Sequence, residues 1–244
     1  GIEAITPNDL LHLLAFAWAF PSFLQGITGF GAPIAVAAPL LLAIGVRPLW
    51  AVALPIIGHA WAKTFGTLAV AWAALTRVTE IENAVLATVT TGVMLGVASL
   101  LAGFTIAWLY GHWAGVREAL PAVLIISAIH GFGQIAISLV APNLANVIPG
   151  TAGLVAVLLL ARKRYAGHSE VKNRPVMAAD ESEGATEAAD VRSGEGQGDG
   201  REGQSMSLWL AFGPYLLLIT LIMLVELVPF IGGPLGALRF GLPF

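Results

Sequence analysis

Charged side chains are nearly absent from most of this chain, and their distribution limits what the chain can fold into. Seven of the twelve Lys and Arg residues and nine of the fifteen Asp and Glu residues lie between residues 162 and 202. Only 11% of all residues are charged, against about 25% in soluble domains. Most of the uncharged, apolar stretches are long enough for a membrane-spanning helix of about 20 residues. The sequence therefore predicts an all-α, polytopic membrane protein.

About seven apolar helical segments result when each span is given about 20 residues. They cover residues 10–24, 34–45, 49–72, 84–108, 121–140, 144–161 and 208–230. At 1.5 Å per residue, the segment 34–45 extends about 18 Å and cannot cross a hydrocarbon core of about 30 Å. Residues 10–45 therefore form either one span with a re-entrant hairpin or two half-helices that meet at a break.

The same distribution divides the chain into three regions. Residues 1–161 are predicted to form a transmembrane bundle, and residues 208–244 to add further transmembrane sequence. Residues 162–207 are rich in Gly, Ser and acidic residues, which cannot bury enough apolar area to order a chain, so we expect a disordered connector. Because the chain starts at Gly and stops within apolar sequence, we expect a fragment of a longer protein.

Basic residues near span ends predict the orientation, since cytoplasmic loops carry an excess of Lys and Arg. The run 162–164, which reads Arg-Lys-Arg, directly follows a predicted span and assigns the polar loop to the cytoplasm. Counting the spans backwards puts Arg47 and Arg117 on the same side and Arg77 on the other. The predicted location is the inner or plasma membrane.

Two Gly-Phe-Gly motifs predict interrupted helices, at residues 25–33 and 130–134. Glycine and proline are unfavourable inside a helix, by about 1 and about 3 kcal/mol respectively. Each motif is followed by an apolar stretch and an Ala-Pro pair, which suggests an internal repeat. Paired interruptions in two halves of a transporter often mark its substrate site. Two alternatives remain open: chance recurrence, in a chain with 28 Gly and 11 Phe, and glycines that only permit tight helix packing.

The first motif offers backbone groups to an anionic substrate. Its glycines allow close approach, and a helix that starts near its proline would direct the positive end of its dipole at an anion. The predicted substrate-binding residues here are Gly29, Phe30, Gly31, Ala32 and Pro33.

Polar side chains inside the spans supply the other candidates. A Lys in mid-span is costly and usually marks a pathway or a counter-ion, and His59 lies one helical turn before Lys63. We predict that both bind substrate and that His59 also couples protons. The alternative is a Lys that reaches the interface beside a packed core histidine. Gly131 and Gln134 are further substrate candidates, and His130 and Glu226 are further proton-coupling candidates. The alternative for His130 and Gln134 is a hydrogen-bonded core pair.

Residues 26–40, which read GITGFGAPIAVAAPL, resemble the glycine-rich signature of the L-lactate permease family. Residues 57–66, 120–124 and 209–217 fit later stretches of the family in the same order. The resemblance implies a secondary transporter that moves L-lactate or glycolate with protons across the prokaryotic cell membrane. The chain departs from the family at Gln25, where Glu is common, and at His59 and Lys63, where the usual pattern is less basic.

An enzyme is not expected, because the chain has no cysteine, no HExxH motif and no Gly-x-Ser-x-Gly motif. The expected partners are a small carboxylate, protons and the lipid bilayer, with no cofactor, metal ion or nucleic acid. The alternatives are a transporter of another small organic anion, a passive channel and a non-catalytic membrane subunit.

Overall fold

The computed structural model describes residues 6–29 and 31–178, and these residues form helices without a β-strand. The helices are α1 Asp9–Ile27, α2 Ala32–Ala43, α3 Pro48–Gly58, α4 Gly66–Val78, α5 Ala84–Ser138 and α6 Val147–Lys163. Helix α1, helix α5, and α6 together with the short turn before it are long and apolar enough to cross a membrane. The predicted all-α membrane fold is confirmed.

Helix α1 is the central span of the bundle. The side chain of Asn8 caps its first turn by accepting a hydrogen bond of 2.9 Å from the Leu11 N–H, and the π-helical segment Ala15–Ala19 lies at its middle. Its nineteen residues extend about 28 Å, close to the thickness of the hydrocarbon core. Trp18, midway along, is completely buried and marks the mid-depth of the bundle.

After α1 the chain breaks at residues 28–31 and continues as a short helical hairpin. Helices α2 and α3 have twelve and eleven residues, pack against each other, and join at a turn in which Gly45 has a φ of +82°. Each extends only about 16–18 Å, too short to cross the bilayer. Residues 10–45 therefore contain one span and only the first arm of this hairpin, whose second arm overlaps the predicted span 49–72.

A second break interrupts the predicted span 49–72, so the prediction of one continuous helix there is wrong. Helix α3 ends at Gly58, a single 3₁₀ turn covers Ala60–Ala62, and α4 starts at Gly66 with a left-handed first turn at residues 67–69. Pro55 lies inside α3, and the two glycines lower helix stability on either side of the turn. The break was not predicted because residues 49–72 are apolar on both sides of it.

Helix α5 is a helical hairpin whose two arms are joined at Gly111 and His112, the only positions in it with non-helical backbone angles. The arms run antiparallel, because Gly96 lies against Gly131 and Ser99 contacts His130. They correspond to the predicted spans 84–108 and 121–140. The second Gly-Phe-Gly motif lies within the continuous second arm.

The predicted break at residues 130–134 is therefore wrong. The backbone of residues 130–134 stays helical for two reasons. Close contact with the first arm compensates for the weak helix propensity of glycine, and no proline follows the motif before Pro142. The two Gly-Phe-Gly motifs have different conformations, which argues against the predicted internal repeat.

Residues 164–178, here called the strap, cross one end of the bundle. Tyr165, Val171 and Val176 are buried in the main hydrophobic core, and Arg174 forms an ion pair with Asp9 at the start of α1. The prediction of a disordered loop that starts at residue 162 is wrong for the strap, because its apolar side chains are buried. The predicted regions 179–207 and 208–244 lie outside the described residues.

The basic residues that were predicted to be cytoplasmic lie at the end of the bundle that the strap covers. Arg47 donates a hydrogen bond of 3.2 Å to the Pro175 carbonyl, and Tyr165 donates one of 2.7 Å to the Glu118 carbonyl, next to Arg117. The Arg-Lys-Arg run 162–164 leads directly into the strap. Arg77, at the last turn of α4, leads to the start of α5, at the far end from the tip of the α5 hairpin.

Candidate functional site

The two helix breaks lie next to each other. A Cβ added to Gly29 would collide with the Thr67 hydroxyl, and a Cβ added to Gly66 would lie 3.1 Å from the Gln25 side chain. The Gln25 amide is within 3.5 Å of the Thr67 hydroxyl. Irregular backbone at membrane depth is tolerated where protein buries it or water reaches it, and such places often serve as transporter sites.

The first break has the special backbone that its glycines predict. Gly29 and Gly31 have φ values of +66° and +93°, in the left-handed region that favours glycine. The first N–H groups of α2 already bond to the chain: Ala32 donates to the Gly29 carbonyl at 3.2 Å, and Ile34 to the Gly31 carbonyl at 3.1 Å. Gly31 is exposed, with open space where a Cβ would stand, whereas Pro33 is buried. Phe30 lies outside the described residues.

The second break brings His59 and Lys63 into contact. The Lys63 Nζ is 3.0 Å from His59 Nε2, and His59 Nδ1 contacts the Pro55 carbonyl. The carbonyl can only accept, so Nδ1 carries the proton and Nε2 accepts from the ammonium group. His59 is buried and Lys63 is exposed, and no carboxylate in the described residues pairs with Lys63. The neighbouring Gly58 packs against Ala17 and Trp18 at the middle of α1.

His130 lies in a separate, fully buried aromatic pocket. Its ring stacks on Trp61 with centroids 4.2 Å apart, meets Trp18 edge-on at 5.6 Å, and its Nδ1 is 3.0 Å from the Ser99 hydroxyl. Gly153 of α6 provides the space for its Nε2 atom, because a Cβ there would overlap it. No contact joins His130 to Lys63 in the described part of the chain.

Of the remaining predicted site residues, Gln134 and Gly131 lie in the same arm of α5 as His130. Gln134 is completely buried, and its amide has no hydrogen-bond partner among the described residues. Gly131 contacts Gly96 in the other arm, so its visible role is close helix packing. Glu226 lies outside the described residues.

Sequence reasoning missed several polar residues that connect the breaks to the rest of the bundle. The Ser22 hydroxyl accepts a hydrogen bond of 2.8 Å from Trp61 Nε1, and the Ser22 carbonyl accepts one of 3.0 Å from the Asn146 amide. Ser22 and Asn146 are both completely buried. Their signal in the sequence was polarity inside apolar segments, the same signal that identified Lys63.

The arrangement suits a small anion. One exposed ammonium group lies in the break between α3 and α4, without a carboxylate partner among residues 6–29 and 31–178, beside an imidazole nitrogen that can accept a proton. The sequence model of one protein family, described as L-lactate permease, matches residues 1–234. The chain belongs to the L-lactate permease family.

Individual family members support this assignment. The chain is 32% identical to the L-lactate permease of Halalkalibacterium halodurans over 65% of this chain and 31% of that protein. It is 30% identical to the glycolate permease of Escherichia coli over 66% of this chain and 28% of that protein. The match to the L-lactate permease of Bacillus subtilis is 27% identical and covers 91% of this chain and 38% of that protein.

The chain therefore spans about a third of the length of the curated L-lactate and glycolate permeases that it matches. These relatives are named as permeases, not as enzymes. No solved structure matches this member of the L-lactate permease family.

Proposed function

We propose that this chain is part of a secondary active transporter that moves L-lactate or glycolate across the cell membrane together with protons. Family membership supports the transport class, and the names of the relatives support small 2-hydroxy monocarboxylates. The observation that carries the site proposal is the His59–Lys63 pair, at the break between α3 and α4.

Lys63 binds the substrate carboxylate in this proposal. An ammonium group within a span is costly unless an opposite charge or a hydrated cavity accompanies it. The described residues supply no such carboxylate to Lys63, and an incoming lactate or glycolate ion would supply one.

His59 takes the coupled proton. Its Nε2 atom accepts a hydrogen bond from Lys63, so a carboxylate that draws the ammonium group away leaves this lone pair free. A proton that enters there makes the imidazole cationic beside the bound anion. Substrate and proton then stabilise each other at one site, which couples the binding of one to the binding of the other. His59 and His130 are both buried, but His59 contacts the exposed Lys63 whereas His130 is enclosed by rings and Ser99, so we favour His59 as the first acceptor.

The strap end of the bundle faces the cytoplasm in this proposal. It carries Arg47, Arg117 and the basic run 162–164, whereas Arg77 belongs to the other end, and the excess of basic residues marks the cytoplasmic side.

The test is uptake of radiolabelled L-lactate into vesicles that contain the full-length protein, with an inward proton gradient imposed or collapsed. We expect accumulation only with the gradient. Lys63→Ala should lower kcat/KM about 100-fold, since loss of a charge partner costs about 3 kcal/mol. Lys63→Arg should retain part of the activity, and Arg77→Ala serves as the control at an exposed cation.

Each alternative outcome has a distinct meaning. Equilibration without accumulation would indicate a passive channel. Accumulation of another organic anion but not of lactate or glycolate would change the substrate assignment. Normal uptake by a well-expressed Lys63→Ala variant would remove Lys63 from the site.

A further inference from the structure

The segment that carries His59 and Lys63 has little regular structure of its own. Between Gly58 and Gly66 only the 3₁₀ turn Ala60–Ala62 is formed. A substrate site needs its groups held within a fraction of an ångström, and side chains on irregular backbone rely on supporting contacts for this. Something outside the segment must therefore fix it.

Trp61 is the residue that attaches this segment most extensively to the rest of the bundle. It lies two residues from His59 and two from Lys63, and its side chain is completely buried. Its Nε1–H donates a hydrogen bond of 2.8 Å to the Ser22 hydroxyl of α1. The Ser22 hydroxyl lies 3.4 Å from the Gly58 carbonyl, where it can donate in turn and tie the start of the segment to α1.

The face of the Trp61 ring is fixed from the other side. It stacks on His130 of α5 at 4.2 Å with an interplanar angle of 19°. His130 cannot shift easily, because Ser99 of the opposite arm and Trp18 of α1 contact it and Gly153 of α6 lies against its Nε2 atom. Trp61 is thus held by α1 through its edge and by the α5 hairpin through its face.

We propose that Trp61 is a positioning residue: its bond to Ser22 and its stack on His130 fix the His59–Lys63 segment and so set the affinity for the substrate carboxylate. This rests on the proposed function. It also gives His130 a role as the platform for Trp61. Trp61 does not touch the substrate in this scheme but acts through Lys63.

Two single substitutions break the hydrogen bond between Trp61 and Ser22 while keeping most of the bulk of the core. Trp61→Phe keeps an aromatic ring for the stack but loses the Nε1–H, and Ser22→Ala removes the acceptor of that hydrogen bond. We expect each to raise KM for lactate about 10-fold or more with kcat nearly unchanged. We expect the double variant to resemble Ser22→Ala, which breaks both the bond from Trp61 and the bond to the Gly58 carbonyl. Trp113→Phe, at a ring that is 66% exposed, is the matched control.

A cycle with Lys63→Arg tests whether Trp61 acts through Lys63. The longer, forked guanidinium binds a carboxylate in a different geometry, so correct placement of the segment should matter less. We expect Trp61→Phe to raise KM by less than threefold in that background. Fully additive effects would overturn the proposal.

A second readout does not depend on transport. In a cysteine-free form of the full-length protein, Lys63→Cys allows the alkylation rate at position 63 to be measured. We expect Trp61→Phe and Ser22→Ala each to change this rate several-fold, with Trp113→Phe and a remote Val85→Cys site unaffected. Unchanged alkylation, or changed alkylation with unchanged KM, would overturn the positioning role. Absence of lactate uptake by the unaltered protein would instead defeat the proposed function, while alkylation still reports whether Trp61 holds the segment.

Discussion

The two Gly-Phe-Gly motifs of this chain have the same three residues but different backbone conformations. In the first, Gly29 and Gly31 have positive φ angles and separate α1 from α2. In the second, Gly131 lies in an uninterrupted helical arm and contacts Gly96 of the other arm. One motif serves to turn the backbone and the other to bring two helices close together.

The flanking residues explain the difference. Before the first motif, the Thr28 hydroxyl bonds back to the Leu24 carbonyl at 2.9 Å and closes the last turn of α1, and Pro33 is favourable only in the first turn of a new helix. After the second motif, Gln134 and residues 135–137 continue the helix without a proline. Of these two motifs, the one that breaks the helix is the one whose flanking capping and proline residues support the break.

Of the substitutions proposed at the two motifs, Gly29→Ala should have the largest effect. Positive φ costs a residue with a Cβ roughly 1–2 kcal/mol, and the new Cβ would also overlap the Thr67 hydroxyl. We expect lactate uptake by the full-length protein to fall below detection, whereas Gly131→Ala keeps most of it. Thr67→Gly, which removes the hydroxyl at a position with a φ of +50°, should restore part of the uptake. Equal losses at Gly29 and Gly131 would contradict the contrast between the motifs.

Gly131→Leu should have an intermediate effect, on stability and not on substrate affinity. A Cβ at Gly131 already lies 3.2 Å from the Gly96 Cα, so a larger side chain must separate the two arms of α5. Overpacking of this kind costs about 1–3 kcal/mol. Thermal unfolding of the purified protein should show a lower midpoint, with KM for lactate unchanged in the surviving fraction. A raised KM at normal stability would show that this motif lines the substrate site after all.

Gly31→Asn should have the smallest effect. Apart from its chain neighbours, no described residue has an atom within 4 Å of a Cβ at this position, so within the described part of the chain only the φ of +93° opposes a side chain. Asn enters the left-handed region more readily than β-branched residues do. Uptake should therefore be nearly normal for Gly31→Asn and clearly reduced for Gly31→Val. Similar losses for both variants would mean that the open space itself is needed, as expected if substrate occupies it.

Sequence reasoning recovered the features that have local causes. Charge depletion predicted the membrane class, and the four-residue spacing of His59 and Lys63 predicted their contact. The first break was predictable because Gly29, Gly31 and Pro33 all oppose a continuous helix.

Features with non-local causes were missed. The break after Gly58 depends on contacts with α1, since a Cβ at Gly58 would overlap the Ala17 carbonyl. The helical state of the second motif depends on Gly96, 35 residues earlier in the chain. The stack of Trp61 on His130 joins residues 69 positions apart, and no periodicity in the sequence reveals such a pair.

The strap has a consequence for the order in which the molecule can assemble. Asp9 pairs with Arg174, Thr6 bonds to the Tyr165 carbonyl, and Asn8 bonds to the Glu118 carboxylate at 2.9 Å. These partners are 110 to 165 residues apart in sequence. The polar groups at the start of α1 can therefore form these bonds only after most of the described chain has been synthesised. During translation, at roughly 5–20 residues per second, that interval lasts on the order of ten seconds. During this interval, chaperones and the translocation machinery encounter α1 before the polar groups at its start have their partners. The strap supplies the last of these partners.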